Sequence, residues 1–138
     1  MPSIDPSPDQ LRQLLADASD ESPIVMINLL RYRDRAEYPK GSDAAPCSGR
    51  EAYQRYGALV VPMLGEVGGQ VLWRGGAKQM VIGPGSEEWD EAILVQYPSR
   101  RAFLTMVGRP EYQRAVVHRS AALADSRLIA TATTTSDF

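Results

Sequence analysis

Residues 23–33 read PIVMINLLRYR, and few folds accept them. An aliphatic, β-branched run behind a proline has the make-up of a β-strand. Successive side chains of a strand point to opposite faces, so Val25, Ile27 and Leu29 point one way and Ile24, Met26 and Leu30 the other. Both faces are apolar, and Asn28 sits within the second. The run DEAILVQYP behaves alike, with Ile93 and Val95 opposed to Ala92 and Leu94. An antiparallel sheet with one wet face alternates apolar with polar residues. These strands do not alternate, so each needs cover on both sides.

The rest of the chain supplies one cover. Leu11, Leu14 and Leu15 recur at helical spacing behind Ser7 and Pro8, a capping residue and a first-turn proline. Residues 32–48 form a long polar segment, a lid or a flexible excursion. Ser48 and Glu51 have the spacing of a capping box and open a helix over about 49–67, with Tyr53, Tyr56, Val60, Leu64 and Val67 as its apolar stripe. The stretch GQVLWRGGAKQMVIG reads as a hairpin or one bent edge strand broken at Gly75 and Gly76. After the strand DEAILVQYP, Ser99 caps a helix to about Val107, Gly108 and Pro110 interrupt it, and a second segment runs to about Ala124. SRLIATAT is a last strand.

The order is a leading helix and then β-α-β-β-α-β. That is the α+β, ferredoxin-like split βαβ arrangement, an antiparallel sheet with its helices on one face. We divide the chain into an N-terminal helical extension (1–22), a ferredoxin-like domain (23–133) and a flexible tail (134–138).

Helices on one face leave the other face bare. A second copy packed sheet to sheet covers it and closes a barrel-like core, which predicts a homodimer. The alternative is that the N-terminal helix or the 32–48 loop covers that face within one chain. The fifteen basic residues are scattered and the net charge is −2, which argues against nucleic-acid binding. One cysteine, Cys47, permits no intrachain disulfide. No apolar run is long enough to span a bilayer and no signal-like leader opens the chain, so a cytoplasmic protein without membrane attachment is expected.

The strings VMINLLRYR, AYQRYG, WDEAILVQYPSRRAFLTMVGRPEYQ and HRSAALADSRLIAT resemble a bacterial family known as domain of unknown function 1330, within the superfamily of dimeric α/β barrels. The resemblance covers most of residues 23–131. It implies the ferredoxin-like fold and the dimer. It implies no reaction: superfamily relatives include cofactor-independent monooxygenases, haem-degrading enzymes, muconolactone isomerases and chlorite dismutases, which share only the fold.

Several residues have the chemistry of a site. Asn28, an amide inside a buried strand, needs hydrogen-bond partners and suits a ligand carbonyl or enolate. His118 is the only histidine and the obvious proton carrier, although it lies on the flank of its helix. Arg119 falls inside the apolar stripe of that helix, where a guanidinium needs a carboxylate, several carbonyls or an anionic ligand. Arg31 is a second balancing cation. Tyr53, Tyr56, Trp73 and Tyr97 are candidate walls for a flat ligand. Arg100 and Arg101 sit in the first turn of a helix, where an anion is favoured. No metal-ligand spacing, phosphate-binding loop or nucleophile elbow is present, so no cofactor is expected; haem is a weaker option, since the lone histidine is off the inward stripe. Two readings follow. One is a dimeric barrel that binds a small, partly apolar organic molecule, with cofactor-free oxidation or isomerisation as its chemistry. The other is a non-catalytic binding or assembly module whose buried polar groups satisfy one another.

Overall fold

The computed structural model describes residues 2–17 and 21–134; the tail expected from 134 onward lies outside the described residues beyond that point. The elements follow as α1 (Pro8–Ala16), β1 (Ile24–Tyr32), α2 (Gly49–Glu66), β2 (Gln70–Gly76), β3 (Glu91–Tyr97), α3 (Arg100–Val107), α4 (Pro110–Ala122) and β4 (Leu123–Thr131). The strands form one antiparallel sheet in the order β2-β3-β1-β4, the ferredoxin-like order. The sheet is open, so one chain alone closes no barrel.

Local chemistry starts the helices. The Ser48 hydroxyl accepts from the Glu51 N–H at 3.0 Å while the Glu51 carboxylate accepts from the Ser48 N–H at 2.9 Å, the capping box expected there. The reciprocal bonds pull the Glu51 carboxyl below its ordinary range. Ser7 and Gln10 form the same pair at the start of α1, and the Ser99 hydroxyl caps α3 by accepting from Ala102 N–H.

The stretch read as a hairpin or bent strand is only partly a strand. β2 ends at Gly76, and residues 77–90 form an irregular loop. Its base is closed by the Ala77 N–H donating to the Asp90 carbonyl at 2.9 Å. It is pinned to β1 by the Asp90 N–H donating to the Leu30 carbonyl and by the Tyr32 N–H donating to the Asp90 carboxylate.

Helices cover one face. Ile24, Met26, Leu30, Ile93 and Tyr97 are buried beneath Ala52, Tyr53, Val60, Met63 and Leu64 of α2, Met106 of α3 and Ala115 and Ala122 of α4. This core is in two clusters, one around Ile24, Met26, Tyr97 and Met106, the other around Leu30, Ile93, Tyr53 and Leu123. Asn28 lies on the same face, between Met26 of the first and Leu30 of the second, and Tyr56 and Val95 pack against both.

The opposite face is bare. Register places Trp73, Leu94, Ile27 and Ile129 in one row across all four strands, with Trp73 54% and Ile129 50% exposed. α1 packs on α3 in the helix layer and does not cover this row. The 77–90 loop reaches only the row's neighbour at one end, where Trp89 lies over the Arg127 guanidinium at 5.1 Å and Arg127 stands opposite Leu29. At the other end the face turns polar, with Gln70 bonded to Gln96 and Thr131 to the Val25 carbonyl.

Candidate functional site

The junction of α2 and α4 over the sheet collects the polar groups of the interior. Tyr53 and Tyr56 lie three residues apart on α2, hence on one face, and Tyr112, Ala115 and Arg119 repeat at helical spacing on α4. The tyrosine rings run as a chain: Tyr32 to Tyr53 at 5.6 Å between centroids, Tyr53 to Tyr56 at 5.3 Å and Tyr56 to Tyr112 at 6.1 Å. The Tyr56 and Tyr112 hydroxyls are bonded at 3.0 Å. Asn28 supplies the floor, with its side-chain N–H donating to the Ile93 carbonyl at 3.3 Å. That bond uses one of four hydrogen-bonding positions of an amide, and Asn28 is only half-buried. Leu128, directly opposite on β4, is 45% exposed, so the helix layer leaves the β4 neighbour of Asn28 uncovered.

Arg119 is the unusual member. It is 9% exposed, and among the described residues no carboxylate forms an ion pair with it. Its guanidinium donates to the Ile4 carbonyl at 2.6 Å and more weakly to the Ser126 hydroxyl at 3.5 Å; that hydroxyl in turn donates to the Ser3 carbonyl. Two of five donors are thereby used. The positive charge reaches the Tyr53 and Tyr56 hydroxyls, yet burial dominates there and pushes Tyr53 up to about 12 and Tyr56 well above its ordinary value. Burial raises Tyr97 as well. At neutral pH these phenols stay protonated and offer hydrogen bonds, with no phenolate available as a base.

Beside this seam lies an ionic cluster that sequence reasoning passed over. Glu91 is buried, accepts from the Arg74 guanidinium at 2.7 Å and from the Tyr32 hydroxyl, and Arg50 stacks over the Tyr32 ring at 4.7 Å. Burial alone would raise the Glu91 carboxyl, but Arg74 and Tyr32 bring it below its ordinary value. The signal was available: Glu91 has the same parity as Ile93, Val95 and Tyr97 and therefore points inward.

The other expected site residues are dispersed. Tyr97 is packed edge-on to Phe103 in the first cluster. Trp73 and Arg31 lie on the bare face, away from Asn28, and Arg31 lines a cleft of about 650 Å³ with Leu29 and the 77–90 loop. A smaller cleft of about 280 Å³ is lined by Tyr32, Arg33, Asp34, Ser48, Arg50 and Asp90. Cys47 is buried in the second cluster. No group of three metal-ligating side chains exists among the described residues, and no helix is long and apolar enough to cross a membrane.

His118 faces the 32–48 segment. Its Nδ1 lies 2.7 Å from the Tyr38 hydroxyl, which also accepts from Arg55 at 3.1 Å. The Tyr38 hydroxyl and Nδ1 share one hydrogen bond whose direction is set by the imidazole tautomer, because a hydroxyl that accepts from Arg55 can still either donate or accept. Burial, followed by the Arg55 charge, lowers the His118 pKa. A histidine depressed in the folded state adds stability that is complete above its unfolded value near 6.5 and is lost as pH falls through the folded value. NMR titration of the ring is expected to give a midpoint below 6.5, and urea midpoints are expected to fall on acidification below that pH. An Arg55→Met variant should lose part of this pH dependence, because the Arg55 charge is the second cause of the shift.

A family model described as Domain of unknown function (DUF1330) matches residues 46–132. The RPA0582 protein of Rhodopseudomonas palustris, solved in methylated form, is 41% identical; the match covers 99% of this chain and 98% of that one with a TM-score of 0.92. A dimeric protein of unknown function and ferredoxin-like fold from Bacteroides fragilis is 12% identical, covering 80% and 96% of the two chains at a TM-score of 0.50. The hydroxynitrile lyase of Passiflora edulis is likewise 12% identical, covering 83% and 96% at 0.51. The last two are similar in fold alone. No curated protein matches.

Proposed function

The chain belongs to the DUF1330 family, and on that premise we propose that it is a homodimer whose protomers each bind a small, partly apolar organic anion in the seam between α2, α4 and the sheet. One observation carries the ligand: Arg119 is buried without a counter-ion among the described residues, and its charge acts on the protonated Tyr53 and Tyr56 hydroxyls. Hydrogen bonds from a guanidinium to a carboxylate or enolate are charge-assisted, often bidentate, and about twice as strong as neutral ones. The Tyr53 and Tyr56 rings form apolar walls with donors at their tips. Asn28 orients a second ligand oxygen.

Binding is favoured over proton transfer. The phenols are held in the acid form, and His118 is engaged with Tyr38. Oxidation or isomerisation without a cofactor would need a base beside Asn28, and none of these groups supplies one. The structural alternative draws on the Arg119 bond to Ile4, since that bond also ties the N-terminal arm to the core.

The dimer is supported by the bare row on the sheet. Four strands about 4.8 Å apart and some seven residues long present a face of roughly 400 Å², polar at one end and within the size range of the largest apolar patches on monomers, which often mark contact sites. Homodimeric stacking of the two faces removes it from water.

To test the ligand reading, titrate the protein with benzoate, salicylate and phenylacetate and follow binding by calorimetry. Arg119→Met is expected to weaken the best binder by about tenfold or more, the loss of a charged hydrogen bond worth roughly 1.5–3 kcal/mol. Equal affinity in a folded Arg119→Met protein would leave the guanidinium as a strut for the N-terminal arm.

A further inference from the structure

The loop after β2 carries apolar residues where water should be met by polar ones. Val81 is 82% and Ile82 92% exposed, and Met80 is 42% exposed. Gly83 follows at φ +156, where a Cβ would run into the Met80 sulfur at 2.5 Å, so the tip is a folded turn. Its base is fixed by the bonds from Ala77 and Asp90 and by Trp89 against Arg127. The loop rises at one end of the bare sheet face, and with Leu29 and Arg31 of that face it bounds the 650 Å³ cleft. A rigid base, an apolar tip and an edge position beside an apolar face describe an element made to meet something lying on that face.

We propose that residues 79–83 are a clasp, packed against the flank of a second copy of this chain when two sheets stack; the inference rests on the homodimer reading and extends it. Area favours this occupant. A stable interface needs about 800 Å² per partner, and the bare sheet footprint is near half of that. An exposed aliphatic side chain adds on the order of 100 Å², so the three tip residues bring the interface close to the usual size. The clasp is continuous with the bare face through Leu29, which belongs to the sheet and also lines the cleft. A two-fold axis makes the grip reciprocal, each loop holding the other protomer.

The test compares wild type with the double variant Val81→Asp and Ile82→Asp by sedimentation across micromolar and nanomolar concentrations, with hydrogen exchange of residues 79–83. Because both positions are solvent-exposed within one chain, the variant keeps its fold. Expected are a wild-type dimer, a dissociation constant at least about tenfold higher in the variant, and slow exchange at 79–83 that is lost on dilution to monomer. A wild-type dimer with an unchanged constant in the variant and unprotected 79–83 amides would overturn the clasp and leave the sheet-to-sheet dimer standing. A wild-type monomer at micromolar concentration would overturn the dimer and the clasp together.

Discussion

Ile27→Asp is expected to convert the dimer to monomer. Ile27 is the centre of the row Trp73, Leu94, Ile27 and Ile129, and a two-fold axis through a stacked sheet pair brings two such rows together. Each introduced carboxylate would lose its water, and Arg127 on the next row is already paired with Asp125 and Glu87, so the cost is several kcal/mol. Two copies facing one another add like-charge repulsion. Together these raise the dissociation constant by about a thousandfold or more, read as a shift from dimer to monomer mass in sedimentation at micromolar concentration. In a single chain the same position is already partly exposed on the bare face, so far-ultraviolet circular dichroism should be unchanged. A dimer that survives the substitution would place the subunit contact elsewhere.

Gly49→Ala is expected to cost about 3 kcal/mol or more. Gly49 opens α2 at the point where three segments cross: its N–H donates to the Arg33 carbonyl, and the Arg33 N–H donates to the Ala122 carbonyl. A Cβ there would lie 2.2 Å from the Arg33 oxygen and 2.7 Å from that of Ala122. Both obstacles are backbone, so relief requires separating β1 from the ends of α2 and α4. The urea midpoint should drop by roughly 1–2 M. Gly57→Ala is the matched comparison, in the same helix with open space around the added carbon; it should gain about 0.5–1 kcal/mol from helix propensity.

What local chemistry controls was legible beforehand. The two-sided apolar pattern of β1 and β3, the Ser48–Glu51 capping box and the proline that opens α4 act over a few residues, and the structure has them where the residues say. The 77–90 segment was misread because Met80, Val81 and Ile82 have strand propensity but no neighbour: β2 is an edge strand and β3 already fills its inner side. Propensity cannot supply a missing partner.

The position of Trp73 was hidden for a different reason. Val71 pairs with Val95 on the helix side, and simple alternation would put Trp73 there too; a bulge between them sets Trp73 opposite Leu94 on the bare side. One extra residue reverses every later side chain. Arg31 could have been assigned to the bare face by parity with Ile27 and Leu29. That Arg119 finds the Ile4 carbonyl, 115 residues away in the chain, is a tertiary fact with no local signal.

Ile27 and Asn28 are adjacent in the chain and point to opposite sides of β1, so one peptide unit divides the proposed subunit contact from the floor of the proposed ligand seam. Anything that shifts this strand is felt on both sides at once. By reciprocity, if occupancy of the seam tightens association of the protomers, association must tighten occupancy by the same factor. Ligand affinity measured on this protein is then a function of protein concentration, and titrations run well above and well below the dimer's dissociation constant should disagree by that factor.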